Sequence, residues 1–155
     1  MTGQKTVKGI SFLQSIRRKR QKLEELKRRY REEENARQYL HGMDYGRARV
    51  SGGRISTLDD EIERHEERLT WYAQEIGRAY LSYITDAVTT YEVIDKTPAE
   101  PRELAFMAEY YLFDADHRDM ATRYHYSPSY IRVIIAKGAK AFSRKFEEWD
   151  TPGGE

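Results

Sequence analysis

The chain has 155 residues, enough for one compact domain or two small ones and too few for a large multi-domain enzyme. Apolar residues make up 39 % and charged residues 34 %, with a mean hydropathy of −0.88, a balance that favours exposed helices over a thick globule. The lack of cysteine excludes a disulfide framework, Fe–S ligation and thiol catalysis. No uncharged run exceeds eight residues (124–131), which leaves no signal-peptide core or membrane span; a cytoplasmic protein without a membrane partner is expected.

The net charge of +1 is a sum of opposites. Residues 1–57 hold 15 Lys/Arg against 6 Asp/Glu, residues 58–103 hold 5 against 12, and residues 104–155 hold 7 against 8. Within the last block, 117–146 carries Arg118, Arg123, Arg132, Lys137, Lys140, Arg144 and Lys145 against Asp119 alone, a local +6. Such asymmetry points to a polyanionic partner or to pairing between the segments themselves.

A first long helix is expected from about residue 11, with Ser11 as N-cap, to about residue 43. Phe12, Ile16, Leu23, Leu26 and Tyr30 recur in steps of three and four, with Lys19 in the gap, and form a narrow seam of the coiled-coil kind. The seam weakens at Glu33 and Glu34. A basic, glycine-rich loop follows over 41–57, with Gly42, Gly46, Gly52 and Gly53 around Arg47, Arg49 and Arg54. It reads either as a solvated connector or as a loop whose arginines contact phosphates.

The second long helix has the clearest pattern. Leu58, Ile62, His65, Leu69, Tyr72, Ile76, Ala79 and Tyr83 step by four and three without a slip, with Thr57 as N-cap and Asp59, Asp60 and Glu61 in the first turn, where negative charge complements the helix dipole. His65 reads as a polar register device in the seam. After residue 79 the stripe broadens to Tyr80, Ile84, Ala87, Val88 and Tyr91, as expected of an end entering a core. One basic and one acidic heptad-patterned helix predict an antiparallel hairpin, and pairing between two chains is equally compatible with the pattern.

Residues 93–101 contain two of the four prolines and read as a linker, with Thr97-Pro98-Ala99-Glu100 in the form of a capping box. A helix to about residue 112 should turn Leu104, Met107, Ala108, Tyr111 and Leu112 inward. Asp116-His117-Arg118-Asp119 then opens a short helix with Met120, Ala121 and Tyr124 inside. His125 and Tyr126 form a turn, and Ser127-Pro128 starts a last helix running through Ile131, Ile134, Ile135, Ala139, Phe142 and Phe146. The expected architecture is all-α: a helical hairpin over 1–92, the linker 93–101, a helix-turn-helix domain over 102–150 and a disordered tail over 151–155.

The spacing of Met120, Ala121, Tyr124, Tyr126, Ile131 and Ile134 is that of a helix-turn-helix, in which alanine permits close helix approach and the outer face of the second helix is free for a major groove. Ser127, Ser129, Tyr130, Arg132 and Val133 are the candidate base-reading residues; Arg118, Arg123, Lys137, Lys140, Arg144 and Lys145 are the candidate phosphate contacts. At the turn, where glycine is frequent, stands His125, which tolerates a left-handed backbone better than β-branched residues do.

The stretch from Tyr110-Tyr111 through Asp119-Met120-Ala121, Tyr124, Ser127, Tyr130-Ile131 and Ile134-Ile135-Ala136-Lys137-Gly138-Ala139-Lys140-Ala141-Phe142 resembles the DNA-binding helix-turn-helix of sigma-factor region 4. The whole chain resembles the RinA/ArpU-type late-gene transcriptional regulators of phages and prophages of Gram-positive bacteria. That resemblance implies a regulator in the host cytoplasm that binds promoter DNA, acts with host RNA polymerase and activates late or packaging genes. Base readout would then fall on Ser127, Ser129, Tyr130, Arg132 and Val133. A homodimer is a further expected partner. Two other functions fit the sequence: a small-terminase-like packaging component, and a sigma-like module that docks on polymerase without binding DNA.

No catalytic constellation, cofactor or metal site is expected. The four histidines form no close pair on a helix face, and His117 among Asp114, Asp116 and Asp119 reads as a capped helix start. Gly138 within the last helix signals close packing or a bend. Trp71 and Trp149 read as packing anchors.

Overall fold

The computed structural model describes the backbone of residues 2–41, 50–51, 54–55 and 57–150, and the side chains of 8–38 and 57–150. Among the described residues the fold is all-α apart from a two-residue antiparallel ladder. The helices are α1 (Thr2–His41), α2 (Leu58–Asp95), α3 (Pro101–Leu112), α4 (His117–Tyr124) and α5 (Pro128–Asp150). The ladder pairs β1 (Val50–Ser51) with β2 (Arg54–Ile55), Val50 opposite Ile55 and Ser51 opposite Arg54. It lies inside the stretch expected to be wholly loop. Arg47 and Arg49 lie outside the described residues, as does the side chain of Arg54, and so does the expected tail 151–155.

The chain divides into two compact units, one formed by Met1–Gln21 with Leu81–Glu155 and the other by Lys22–Tyr80. This differs from a hairpin 1–92 separated from a domain 102–150 by a linker. The reason lies in the ends of the two long helices. Leu13 and Val93, both fully buried, belong to the same core cluster as Leu104, Met107, Leu112's neighbour Tyr111, Ile131 and Phe142. Helix α1 also begins nine residues before Ser11, and from Lys8 onward it packs on α5: Phe12 stacks on Phe146 at 4.7 Å, a Cβ on Gly9 would overlap Ser143, and Lys8 pairs with Asp150. Leu13, missing from the periodic pattern, is fully buried in that core cluster.

In the second unit the two long helices are linked by side-chain pairs. Glu33 of α1 meets His65 Nδ1 (2.5 Å) and Arg68 of α2, and Arg37 meets Glu66 at 3.2 Å. The acidic break at Glu33 is therefore a pairing site. In the first unit Lys19 of α1 pairs with Asp86 of α2, so the gap in the apolar seam is filled by an ion pair. All eight positions of the α2 pattern are buried or half-buried. Its broadened continuation is only partly inward: Ala87 is buried and Ile84 half-buried, whereas Tyr80, Val88 and Tyr91 are exposed, and the inner face continues instead through Thr90 and Val93. Trp71 lies off the seam, 53 % exposed and edge-on to Tyr72, and Trp149 is 41 % exposed beside Phe146; neither is a buried anchor.

Two caps behave as their sequences predict. Thr57 Oγ1 accepts the Asp60 N–H at 3.3 Å, and Ser127 Oγ accepts the Tyr130 N–H at 3.2 Å. The Thr97 capping box does not form. Thr97 is buried, its hydroxyl donates to the Val93 carbonyl (2.7 Å) and its N–H to Ile94, so it closes α2. Helix α3 starts one turn later with Pro101 as its first residue, the place where a missing N–H costs nothing.

Helices α3, α4 and α5 pack around Leu104, Phe106, Met107, Tyr111, Met120, Ala121, Ile131, Ile134, Ile135 and Phe142. The buried Tyr83 hydroxyl donates to the Leu112 carbonyl at 2.5 Å and ties α2 to the end of α3. Gly138 is buried where α5 crosses α3: an added Cβ would overlap the Glu103 carbonyl and press on Met107 Cβ. A backbone carbonyl cannot swing away. Gly138→Ala should therefore destabilise the chain by about 1–3 kcal/mol, although alanine is intrinsically the better helix residue by about 0.5–1 kcal/mol. Denaturant unfolding measures the sign, and a stabilised variant would contradict the close crossing.

Candidate nucleic-acid interface

Helix α4 ends at His125, which adopts the left-handed conformation (φ 59°, ψ 41°) expected of the turn. The Tyr126 N–H donates to the Ala121 carbonyl at 3.1 Å, Ala121 is buried, and α5 starts two residues later behind the Ser127 cap. Two helices joined by a three-residue turn are thus fixed by a small residue, a left-handed residue and a hydroxyl cap. Met120 is fully buried between them, and the partly buried Tyr124 lies against Phe106 at 4.5 Å.

Helix α5 is sharply two-faced. Ile131, Ile134, Ile135, Gly138, Ala139, Phe142, Ser143 and Phe146 are buried. Ser129, Arg132, Val133, Ala136, Lys137, Lys140 and Arg144 are exposed and, at 100° per residue, fall within one continuous arc, with Tyr130 at its edge. No Asp or Glu occurs on α5 before Glu147. Among the described residues Arg132, Lys137, Lys140 and Arg144 make no ion pair, so the arc carries four uncompensated positive charges.

The remaining candidates are placed differently. Ser127 is exposed in the turn with its oxygen engaged in the cap. Arg118 is exposed on α4. Arg123, at the end of α4, pairs with Glu109 of α3 at 3.2 Å, and Lys145 is turned away from the outward arc and pairs with Glu148 at 3.1 Å. Glu109 also accepts the Tyr124 hydroxyl, and this hydrogen bond pushes the Tyr124 phenol above its ordinary range.

One group was not marked by composition. Arg102, counted with the acidic stretch 58–103, reaches from α3 to the start of α5, where its Nη1 donates to the Tyr126 hydroxyl (3.0 Å) and its Nη2 to the Tyr130 hydroxyl (3.3 Å); the two tyrosine rings are 4.8 Å apart. Nothing in the local spacing of Arg102 could reveal this, since its partners are 24 and 28 residues away.

At the other side of α4, His117 stacks on Tyr110 at 4.6 Å, and the Arg17 guanidinium lies 3.8 Å from the same ring. Arg17 Nε pairs with Asp114 at 3.0 Å, and Gln21 donates to the same carboxylate at 2.9 Å. Asp114 is thus a tie to α1. Among the described residues no group of three or more His, Asp or Glu side chains is placed to hold a metal ion, and no helix is long and apolar enough to cross a membrane. Compared with protein-family models, curated proteins and solved structures, the chain matches none.

Burial, then the Arg132 and Arg17 charges, lower the pKa of His117 below the ordinary histidine value of 6.5. The unfolded chain therefore takes up this proton more readily than the folded one, and the stability tied to a neutral His117 is lost as pH falls through 6.5 towards the lowered value. His117→Phe keeps a ring on Tyr110 and removes the titration. The variant should lose less unfolding free energy than the parent between about pH 7 and pH 5; equal losses would contradict the assignment.

Proposed function

We propose that the chain is a sequence-specific DNA-binding transcriptional regulator in which the outward arc of α5 enters the major groove. The observation that carries this reading is the uncompensated basic arc at the exposed side of a helix held by a short turn against its neighbours. A major groove about 12 Å wide admits one α-helix. At the N-terminal end of α5, Ser129, Tyr130, Arg132 and Val133 offer hydroxyl, guanidinium and methyl groups to base edges, with Ser127 at the mouth of the helix. Lys140 lies twelve residues beyond Pro128, about 18 Å along the axis, where it meets the phosphate backbone, with Lys137 and Arg144 beside it and Arg118 on α4. Arg123 and Lys145 contribute less, because each already has a carboxylate partner.

With the sequence resemblance to RinA/ArpU-type regulators, the proposed setting is the cytoplasm of a bacterial host, where the protein activates phage late genes together with host RNA polymerase. Its role is binding, not catalysis.

Selection from a random duplex pool gives the preferred site. On that site Arg132→Ala should cost about 1–3 kcal/mol of binding and relax the preference at one base pair. Lys140→Ala should weaken cognate and random duplexes alike and reduce the salt slope by about one. A chain that selects no sequence and binds no duplex at low salt would overturn the proposal and favour the polymerase-docking module.

A further inference from the structure

Helix α2 carries two apolar stripes. One faces the chain's own interior. The other consists of Leu81, Ile84, Val88 and Tyr91, in steps of three, four and three. Leu81 is 66 %, Val88 51 % and Tyr91 49 % exposed, and Ile84 is half-buried. No charged side chain interrupts this stripe: Asp86, the one Asp, Glu, Lys or Arg among positions 81–90, points the other way, onto Lys19. Four residues earlier stands Gly77, where an added Cβ would meet nothing within 4 Å. No contact inside the chain requires glycine there, and glycine in a helix interior costs about 0.5–1 kcal/mol relative to alanine. Heptad steps, exposed apolar side chains and a bare glycine together describe one side of a helix–helix seam.

We propose that this face is the site at which α2 pairs with α2 of a second copy of the chain, antiparallel, about a two-fold axis at the level of Thr85 and Asp86. The stripe is self-complementary in that direction. Leu81 falls opposite Tyr91 of the second copy and Ile84 opposite Val88, and the two-fold repeats both pairings. Charge selects the direction. The flank of the stripe runs Arg78, Thr85, Glu92 at seven-residue intervals, so an antiparallel partner sets Arg78 against Glu92 twice and Thr85 against itself. A parallel partner would bring Asp95, the next step of the seam, against its own copy. Arg78 is available for exchange: its side chain is 75 % exposed and its pair with Glu75 on the same helix is of the surface kind that contributes little. The pairing stands independently of DNA binding and would supply two α5 helices for a two-part site.

Sedimentation of the full chain over the micromolar range tests this directly. The parent should sediment with the mass of two chains. Val88→Glu, at an exposed position, should sediment as one chain with an unchanged helical circular dichroism spectrum. Arg78→Glu and Glu92→Arg should each weaken association several-fold, and the double exchange should restore it. A parent that sediments as a single chain throughout the range, or a Val88→Glu variant that still pairs, would overturn the proposal. So would single exchanges that weaken association without rescue in the double variant, which would contradict the antiparallel register.

Discussion

Gly138 lets α5 lie directly on the Glu103 carbonyl of α3, and the outward face of α5 follows from that contact. With the two backbones this close, Ile131, Ile134, Ile135 and Phe142 fill the space beside the crossing, each buried apolar side chain contributing about 1.5–3 kcal/mol. The rotation of α5 about its own axis is thereby fixed, and whatever is not in that arc must face water. The second close approach, Gly9 against Ser143, secures the C-terminal half of the same helix from α1. A helix gripped at two places by glycine contacts presents its polar face without freedom to roll. In the proposed reading of base edges, that rigidity would decide whether a side chain reaches a base or misses it.

The distribution of charge has the same origin. Part of the basic excess of residues 1–57 is paired with carboxylates elsewhere in the chain: Arg37 meets Glu66, Lys19 meets Asp86, Arg17 meets Asp114 and Lys8 meets Asp150, while Arg28 and Arg29 hold the Glu25 carboxyl of their own helix down to about 2. On α5 the cations Arg132, Lys137, Lys140 and Arg144 all precede the first carboxylate, Glu147, in sequence, and none of them makes an ion pair among the described residues. A nearly neutral chain can therefore carry a strongly positive helix face, because net charge sums segments of opposite sign.

Local periodicity made much of this legible. The eight α2 positions from Leu58 to Tyr83, the caps at Thr57 and Ser127, the left-handed His125 and the inner face of α5 all depend on residues a few places apart, and all form as their spacing predicts. What the sequence did not disclose depends on contacts across the chain. Phe12 and Gly9 of α1 pack against Phe146 and Ser143, more than 120 residues away. Thr97 looks like a cap but is claimed by the Val93 carbonyl, and Arg102 belongs with Tyr126 and Tyr130 although it sits in an acidic stretch. Arg123 and Lys145 count towards a local charge total, yet their carboxylate partners Glu109 and Glu148 remove them from the uncompensated set. A charge sum along the chain registers side chains, not the partners that neutralise them.

The proposal that the outward arc of α5 meets DNA is tested most directly by titrating a selected duplex into the isotopically labelled chain and following backbone amide and arginine side-chain resonances. The largest shifts are expected at Ser129, Arg132, Val133, Lys137 and Lys140, with Leu69 and Ile76 of α2 unmoved. Shifts confined to residues 22–80, with those of α5 unchanged, would contradict it.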